Sequence, residues 1–425
     1  MEGPEQEAVA LLSGTGMGPV LAAALAPAGL SVQRWTRRRV HHRPGAGVTA
    51  VFDVVALVGA RRAAEVVCVS TASPPAGTSP AVVRTRHEGV DLVAWRHPHD
   101  PWLPGLTWAS SPEAVGREVF CSVVPAELTE VSYRPTRRAV LRAAHGSRVR
   151  YLKVLRRDRA AALHARHRML LAVGLPVPAP CGDPVRDVVV LRQLPGTPLA
   201  ASVRQDGAAA LHPEHVLALL DALPAAALEL PARAPWTDRV LDYGHAAAVA
   251  LPEERARIER LAAAIDEARR ATDPGPVVPV HGDLYEANLL VGPAVRGTFG
   301  PVTGVLDVDA VGPGHRVDDL ACLVAHLAVL PTVHDSYGHA PAAAQRLLAG
   351  FDAAVDPAAL RVRCAGVALS LVAGARRSGG PPDRARRRLE IAEGFLGERG
   401  SRSVPGEAGV RPRRDRQRPG GLRDR

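Results

Sequence analysis

Lysine is almost absent from this 425-residue chain: of 53 basic residues, one is lysine, Lys153, and the other 52 are arginine. Aromatic residues are scarce too, at 4%, so a core drawn from the 47% of hydrophobic residues must be filled by Ala, Val and Leu. The five cysteines (Cys68, Cys121, Cys181, Cys322, Cys364) stand far apart with no CxxC pair. That argues against a disulfide framework or a zinc site and suits a reducing cytoplasm. No segment reads as a membrane span, and the opening MEGPEQEAVA is acidic rather than basic, unlike a secretory signal. No Gly-x-Ser-x-Gly elbow occurs, which disfavours acyl hydrolysis. The length allows one large two-lobed fold or about two to three ordinary domains.

The formal net charge is +10, and half of the excess sits in residues 401–425, where eight arginines face three acids. That end is rich in Arg, Gly and Pro and poor in large apolar residues, so it is expected to be disordered. An Arg-rich tail can touch RNA or another anionic surface, but a solvated end is the commoner outcome. Nucleic-acid binding is therefore expected at most weakly, through the tail.

The most informative stretch runs from Val277 to Asp309. A short apolar run, Val277–Val280, ends in His281-Gly282-Asp283, and Asn288 opens a second run, Leu289–Val291. A Gly/Pro-rich connection (Gly292–Pro301) leads to a third, Val302–Leu306, ending on Asp307 and Asp309. Apolar runs punctuated by Gly and Pro read as buried strands joined by a hairpin loop. In an antiparallel hairpin the first residue of one strand lies beside the last of its partner. Asn288 and Asp307 should therefore meet at one end, where the Asp283 loop also arrives. Two carboxylates and a carboxamide converging there form a set of hard oxygen donors of the kind Mg²⁺ takes.

The HxDxxxxN…D pattern over His281, Asp283, Asn288 and Asp307 resembles the catalytic and metal-binding loops of the protein-kinase-like fold. With His-Gly-Asp and a following Asp-x-Asp, it is similar to the aminoglycoside/choline phosphotransferase branch. The resemblance implies an α+β, two-lobed protein-kinase-like fold with a β-rich small lobe and an α-rich large lobe. It implies Asp283 as base or orienter for a substrate hydroxyl, Asn288 and Asp307 as metal ligands, and ATP and Mg²⁺ as cofactors. His281 would brace the loop, Asp309 would support the second element, and Asp319, in Val317-Asp318-Asp319-Leu320-Ala321, would tie the next helix to the catalytic loop. Asp318 or Asp319 can also accept amide bonds at that helix's start, worth about 1 kcal/mol.

Lys153 lies in the alternating run Val149–Leu155, where the third small-lobe strand of such enzymes carries its phosphate-binding lysine. Lysine is a compact point charge and arginine a broad planar fork, so a position that kept lysine against the general bias points to a narrow phosphate site. The segment after it, Asp158–Val173, reads as a helix. Kinase-like enzymes usually place a glutamate there to orient the lysine; here His164 and His167 stand instead. Either Asp307 or bound phosphate steers Lys153, or the ion pair comes from elsewhere, or phosphoryl transfer is impaired. The phosphate-binding glycine loop is also missing, its place taken by Ala143–Ser147. A strand at Val188–Leu191 runs into Arg192-Gln193-Leu194-Pro195-Gly196, suiting an interlobe hinge where backbone near Gln193 and Leu194 would hold adenine.

Upstream, residues 1–30 read as a helical extension and 31–192 as the small lobe. Residues 37–71 and 131–156 share a layout, with Val40-x-x-Arg43-Pro44 matching Val131-x-x-Arg134-Pro135 and an alternating hairpin after each. This suggests two similar hairpin units, with Cys68 where the second has Lys153. His97-Pro98-His99-Asp100-Pro101, flanked by tryptophans, reads as a rigid loop over an apolar surface rather than a metal site. Residues 193–400 would form the large catalytic lobe, with helices over Pro252–Arg270, Ala342–Phe351, Pro357–Gly374 and Pro381–Leu396. The expected activity is ATP- and Mg²⁺-dependent transfer of the γ-phosphate to a hydroxyl of a small molecule. A nucleotide-binding pseudokinase scaffold is the alternative. The acceptor's identity is open: residues 319–400 hold eight acids against ten arginines, which does not suit a polycation.

Overall fold

Alternation of apolar residues builds the first unit. Helices Pro4–Ser13 and Gly18–Leu25 are followed by strands β1 (Ser31–His42), β2 (Val48–Val58), β3 (Arg61–Ser70), β4 (Val82–His87) and β5 (Val90–Arg96), in the antiparallel order β1-β2-β3-β5-β4. Successive strand residues point to opposite faces. Ala50, Phe52, Val54 and Ala56 accordingly meet Leu12, Met17, Leu21 and Leu25 of the two helices. Val51, Cys68, Val93 and Trp95 point the other way and pack on Trp102. This computed structural model describes residues 4–42, 47–59, 61–76, 79, 81–292, 299–377 and 382–397. The tail expected over 401–425, Arg43-Pro44 of the matched motif and most of the Gly292–Pro301 connection lie outside the described residues.

A second antiparallel sheet, ordered β6-β7-β8-β9, holds β6 (Glu127–Arg134), β7 (Arg138–His145), β8 (Arg148–Leu155) and β9 (Val188–Arg192). It has its own core of Leu103, Leu106, Val115, Phe120, Leu141, Leu152 and Val154. The helices expected over 1–30 lay their apolar face on this first sheet. Residues 31–192 hold the two antiparallel sheets. Cys68 pairs with Val51 and Trp95 in the first sheet, and Lys153 with Val140 and Val189 in the second. The loop between the sheets is anchored on buried Asp100. It accepts hydrogen bonds from Trp102 N (2.9 Å), Thr136 N (2.8 Å) and the Tyr133 hydroxyl (2.9 Å). The same hydroxyl accepts from Trp95 Nε1 (3.1 Å). Among the described residues no three His, Cys, Asp or Glu side chains converge as a metal cluster, in this loop or elsewhere.

The chain leaves β9 through Gln193–Gly196 and enters the large lobe at β10 (Thr197–Pro198). Two small sheets follow: β10-β12-β13, with β12 (Leu289–Val291) and β13 (Val302–Val305), and the pair β11 (Val277–Val280) and β14 (Gly312–His315). Helices surround them, including Arg255–Arg270, Arg316–Val329, Ala340–Phe351, Pro357–Ser370 and Pro382–Gly397. Pro357–Ser370 is buried on all sides. With its continuation to Ala375 it is long and apolar enough to cross a membrane, yet 78% of that window is buried inside the lobe, as befits a core helix. Its charged residues are paired: Arg361 clamps Asp352 (2.6 and 2.8 Å), and Arg363 Nε donates to Asp318 Oδ1 (3.1 Å).

Tyr133 therefore couples the two sheets. Tyr133→Phe keeps the ring but strips Trp95 and buried Asp100 of a partner, and a lost buried hydrogen bond costs about 1–3 kcal/mol. A loss of stability of that order is expected in chemical denaturation, with little change in the far-ultraviolet spectrum.

Candidate active site

The hairpin β12–β13 has the register Leu289↔Val305, and Leu306 N donates to Asn288 O (2.8 Å). Asn288 thus faces Leu306, one residue before Asp307. The Asn288 amide nitrogen donates to the Asp283 carbonyl (2.9 Å), fixing the loop and leaving its amide oxygen as an acceptor. Asp307 adopts the left-handed conformation (φ 55°, ψ 48°), one that Asp tolerates better than most residues. The chain turns there into the short 3₁₀ segment Val308–Ala310, which carries Asp309.

Underneath, the His-Gly-Asp loop is held by buried Asp319. It accepts from His281 N (2.6 Å) and Gly282 N (2.8 Å). Burial pushes the Asp319 carboxyl up to about 6, against the pull of His281 and the two amides. The His281 ring spans the loop: Nε2 lies 3.0 Å from Leu306 O, and Nδ1 accepts from Asp283 N (3.3 Å). This pattern assigns the proton to Nε2. Gly282 sits at φ +77°, where a Cβ would stand 2.7 Å from Ala310 O, so glycine is required by both conformation and space. Asp283 is half-buried. Burial raises its carboxyl pKa, with Arg233 pulling down and Asp307 pushing up.

Across the cleft, Lys153 is buried on β8 and its Nζ donates to Asp307 Oδ1 (2.7 Å) and to Asp309 Oδ2. Arg138, on the neighbouring strand, adds a fork to Asp307 (3.2 and 2.9 Å) and reaches Asp309 Oδ2 (3.4 Å). Burial pushes the Asp307 carboxyl up, but its hydrogen bond with Asp309 and the cations Lys153 and Arg138 outweigh that and hold it below the ordinary range. Burial and the shared contact with Asp307 raise Asp309. Two carboxylates so close split in this way because both cannot ionise equally well.

The helix Ala160–Ala172 follows Lys153. His167 on it is buried, and burial with nearby Lys153 lowers its pKa to about 4, so it is neutral. A different residue ties this helix to the loop: Arg166 Nη1 donates to Asp309 O (2.8 Å). Of the hinge residues, Gln193 is exposed and Leu194 half-buried. Thr303 Oγ1 donates to Pro195 O (2.9 Å), pinning this crossover to β13. Ala143–Ser147 forms the tight β7–β8 turn, with His145↔Arg148 as its closing pair and Gly146 at φ +57°.

Lys153, Asp307 and Asp309 are in direct contact, Asn288 is bonded to the Asp283 loop, and His281 and Asp319 lie beneath it. Sequence reading passed over Arg138, Arg166 and Arg233, since nothing distinguishes them among 52 arginines. One signal was available for the carboxamide: Asn288 is the only asparagine in the chain, as Lys153 is the only lysine. The donor types fit Mg²⁺: the Asn288 amide oxygen is left as an acceptor, and the Asp307 carboxylate follows Leu306, which bonds to the Asn288 backbone.

Comparison with known proteins identifies the family. The sequence profile described as "Phosphotransferase enzyme family" matches residues 129–363. No curated protein matches the chain. Similar solved structures include a thermostable aminoglycoside phosphotransferase mutant in ternary complex with AMP-PNP and hygromycin B, at 16% identity and TM-score 0.45, over 66% of this chain and 96% of that one. A choline/ethanolamine kinase family protein from Mesorhizobium loti gives 16% identity and TM-score 0.43, over 70% and 93%. Plasmodium vivax ethanolamine kinase gives 9% identity and TM-score 0.41, over 64% and 84%. The profile spans more than half of the chain, from β6 to the helix Pro357–Ser370, and contains every residue of the cleft described above: this chain belongs to the phosphotransferase enzyme family.

Proposed function

We propose that the protein transfers the γ-phosphate of ATP to a hydroxyl of a small molecule. The observation that carries this reading is the cleft itself, where the only lysine and the only asparagine meet the Asp283 loop and the Asp307–Asp309 pair. Asp283, half-buried and raised by burial, would accept the hydroxyl proton as the acceptor oxygen attacks the γ-phosphorus and the bond to the bridging oxygen of ADP breaks. Asn288 and Asp307 would hold Mg²⁺, which when bound supplies charge neutralisation on the phosphates. Gln193 and Leu194 would present backbone groups to the adenine. Catalysis would rest on positioning and electrostatics rather than on a covalent intermediate.

In this reading Lys153 grips the phosphates, and the carboxylate that orients it is Asp309 rather than a helix glutamate. Asp307 cannot serve two partners equally once a metal is bound, whereas Asp309 keeps its contact with Lys153. Arg166 holds Asp309's backbone, so the helix still restrains the lysine, one step removed. A nucleotide-binding pseudokinase without transfer is the second reading, motivated by the missing glutamate and glycine loop.

The deciding measurement is transfer from γ-labelled ATP with Mg²⁺ to a panel of hydroxyl compounds. Asp283→Ala is expected to lower turnover by about 10²–10⁴-fold while nucleotide still binds. Undiminished turnover in that variant would refute the assignment, and no Asp283-dependent turnover across the panel would favour the pseudokinase. Chelation of divalent metal is expected to stop transfer and added Mg²⁺ to restore it. Asp309→Asn is expected to raise the KM for ATP by about tenfold, a loss near 1.4 kcal/mol. Combined with Lys153→Ala it should add little further, because the two side chains act as one unit. Full additivity of the two substitutions would show that Asp309 does not act through Lys153.

A further inference from the structure

The cations of the cleft divide into two groups. Lys153 and Arg138 are spent on Asp307 and Asp309, and Arg166 on the Asp309 backbone. Arg134 and Arg233 are exposed, and neither guanidinium makes an ion pair or side-chain hydrogen bond among the described residues. Both are nevertheless held beside the Asp283 loop by the fold. Arg134 is the cross-strand partner of Arg138 at the tip of the β6–β7 hairpin, and Arg138 reaches down to Asp307. Arg233 follows Pro231, whose carbonyl oxygen would lie 3.1 Å from a Cβ at Gly312. Gly312 pairs with Val280, the residue before His281-Gly282-Asp283.

Charge effects agree with this placement. After burial, Arg233 has the largest influence on the Asp283 carboxyl, and Arg134 lowers the Tyr285 phenol that burial and Asp283 raise. Among the described residues, the carboxylates named in this cleft are already engaged. Asp319 is buried and accepts from the His281 and Gly282 amides, and Asp307 and Asp309 are paired with Lys153 and Arg138. Asp283 itself is needed for the proton.

We propose that the acceptor hydroxyl belongs to an anionic compound, a hydroxy acid or sugar acid, whose negative group is held by Arg134 and Arg233. The proposal rests on the phosphotransferase reading and names its substrate class. The guanidinium forks suit a planar carboxylate or another oxyanion, which they can bind through two parallel N–H···O bonds.

The test uses the full chain and two matched sets of probes: glycerol, glycerate and 3-aminopropane-1,2-diol; glucose, glucuronate and glucosamine. Two quantities are read for each, transfer from γ-labelled ATP and the change in melting temperature of the nucleotide-loaded protein. The acid of at least one set is expected to exceed its neutral partner by about tenfold in kcat/KM or apparent affinity, as one charge-assisted contact allows. Arg233→Glu and Arg134→Glu should each abolish that preference and move it toward the amine; ligand-free melting curves check that the folds are kept. Preference for the neutral or amine members with Asp283-dependent transfer would overturn the charge assignment and leave phosphotransfer standing. An acid-selective melting shift without any transfer would uphold the charge assignment and sink the phosphotransferase reading. No discrimination among probes in either readout, or a preference for the acid that survives both reversals, overturns the proposal.

Discussion

The contact between Lys153 and the Asp307–Asp309 pair joins the two lobes, and the cleft depends on it. A buried ammonium on a central strand of one sheet cannot be left without a counter-charge: removing one partner of a buried pair costs about 3–5 kcal/mol. The carboxylates come from a turn more than 150 residues later, so the pairing fixes how the small lobe sits on the large one. Arg138 makes the cluster two cations against two carboxylates, which satisfies the charges without drawing on Asp283. Asp283 remains half-buried, with burial raising its pKa, a state suited to accepting a proton.

A second set of contacts keeps Asp283, Asn288 and Asp307 in register from below. Asp319 binds consecutive amides of the His-Gly-Asp loop, and His281 spans from that loop to the strand end before Asp307. Next to Asp319, Asp318 is bound by Arg363 of the buried helix Pro357–Ser370. The chain of contacts therefore runs from the loop through the first turn of Arg316–Val329 into the core of the large lobe. Placing a site on packed elements in this way keeps small errors of position from reaching the chemistry.

The unit formed by residues 4–96 stands outside the matched family region, yet it is packed against the small lobe through Trp95, Trp102 and Tyr133. Its sheet repeats the local order of the second, a three-stranded meander joined on its far side to a further strand. The central positions differ in chemistry. Cys68 is buried with its thiol pKa pushed well up by desolvation, whereas the matching position of the second sheet carries Lys153. The first sheet supplies an apolar face and, through Trp95, a hydrogen bond to Tyr133 of the second, and the second supplies the charge.

What the chain determined locally was legible without coordinates. The strand runs, the His-Gly-Asp loop, and the pairing of Asn288 with the residues before Asp307 follow from short-range spacing and hairpin geometry. Lys153 stood out because lysine is otherwise missing. The arginines could not be ranked that way: Arg138 meets Asp307 across 169 residues and Arg166 meets the Asp309 backbone across 143, and 52 arginines offer the same long flexible fork. Which of them faces a carboxylate, which a carbonyl and which open solvent depends on how two sheets and a helical lobe close on one another. Long-range packing makes that selection, and no local pattern encodes it.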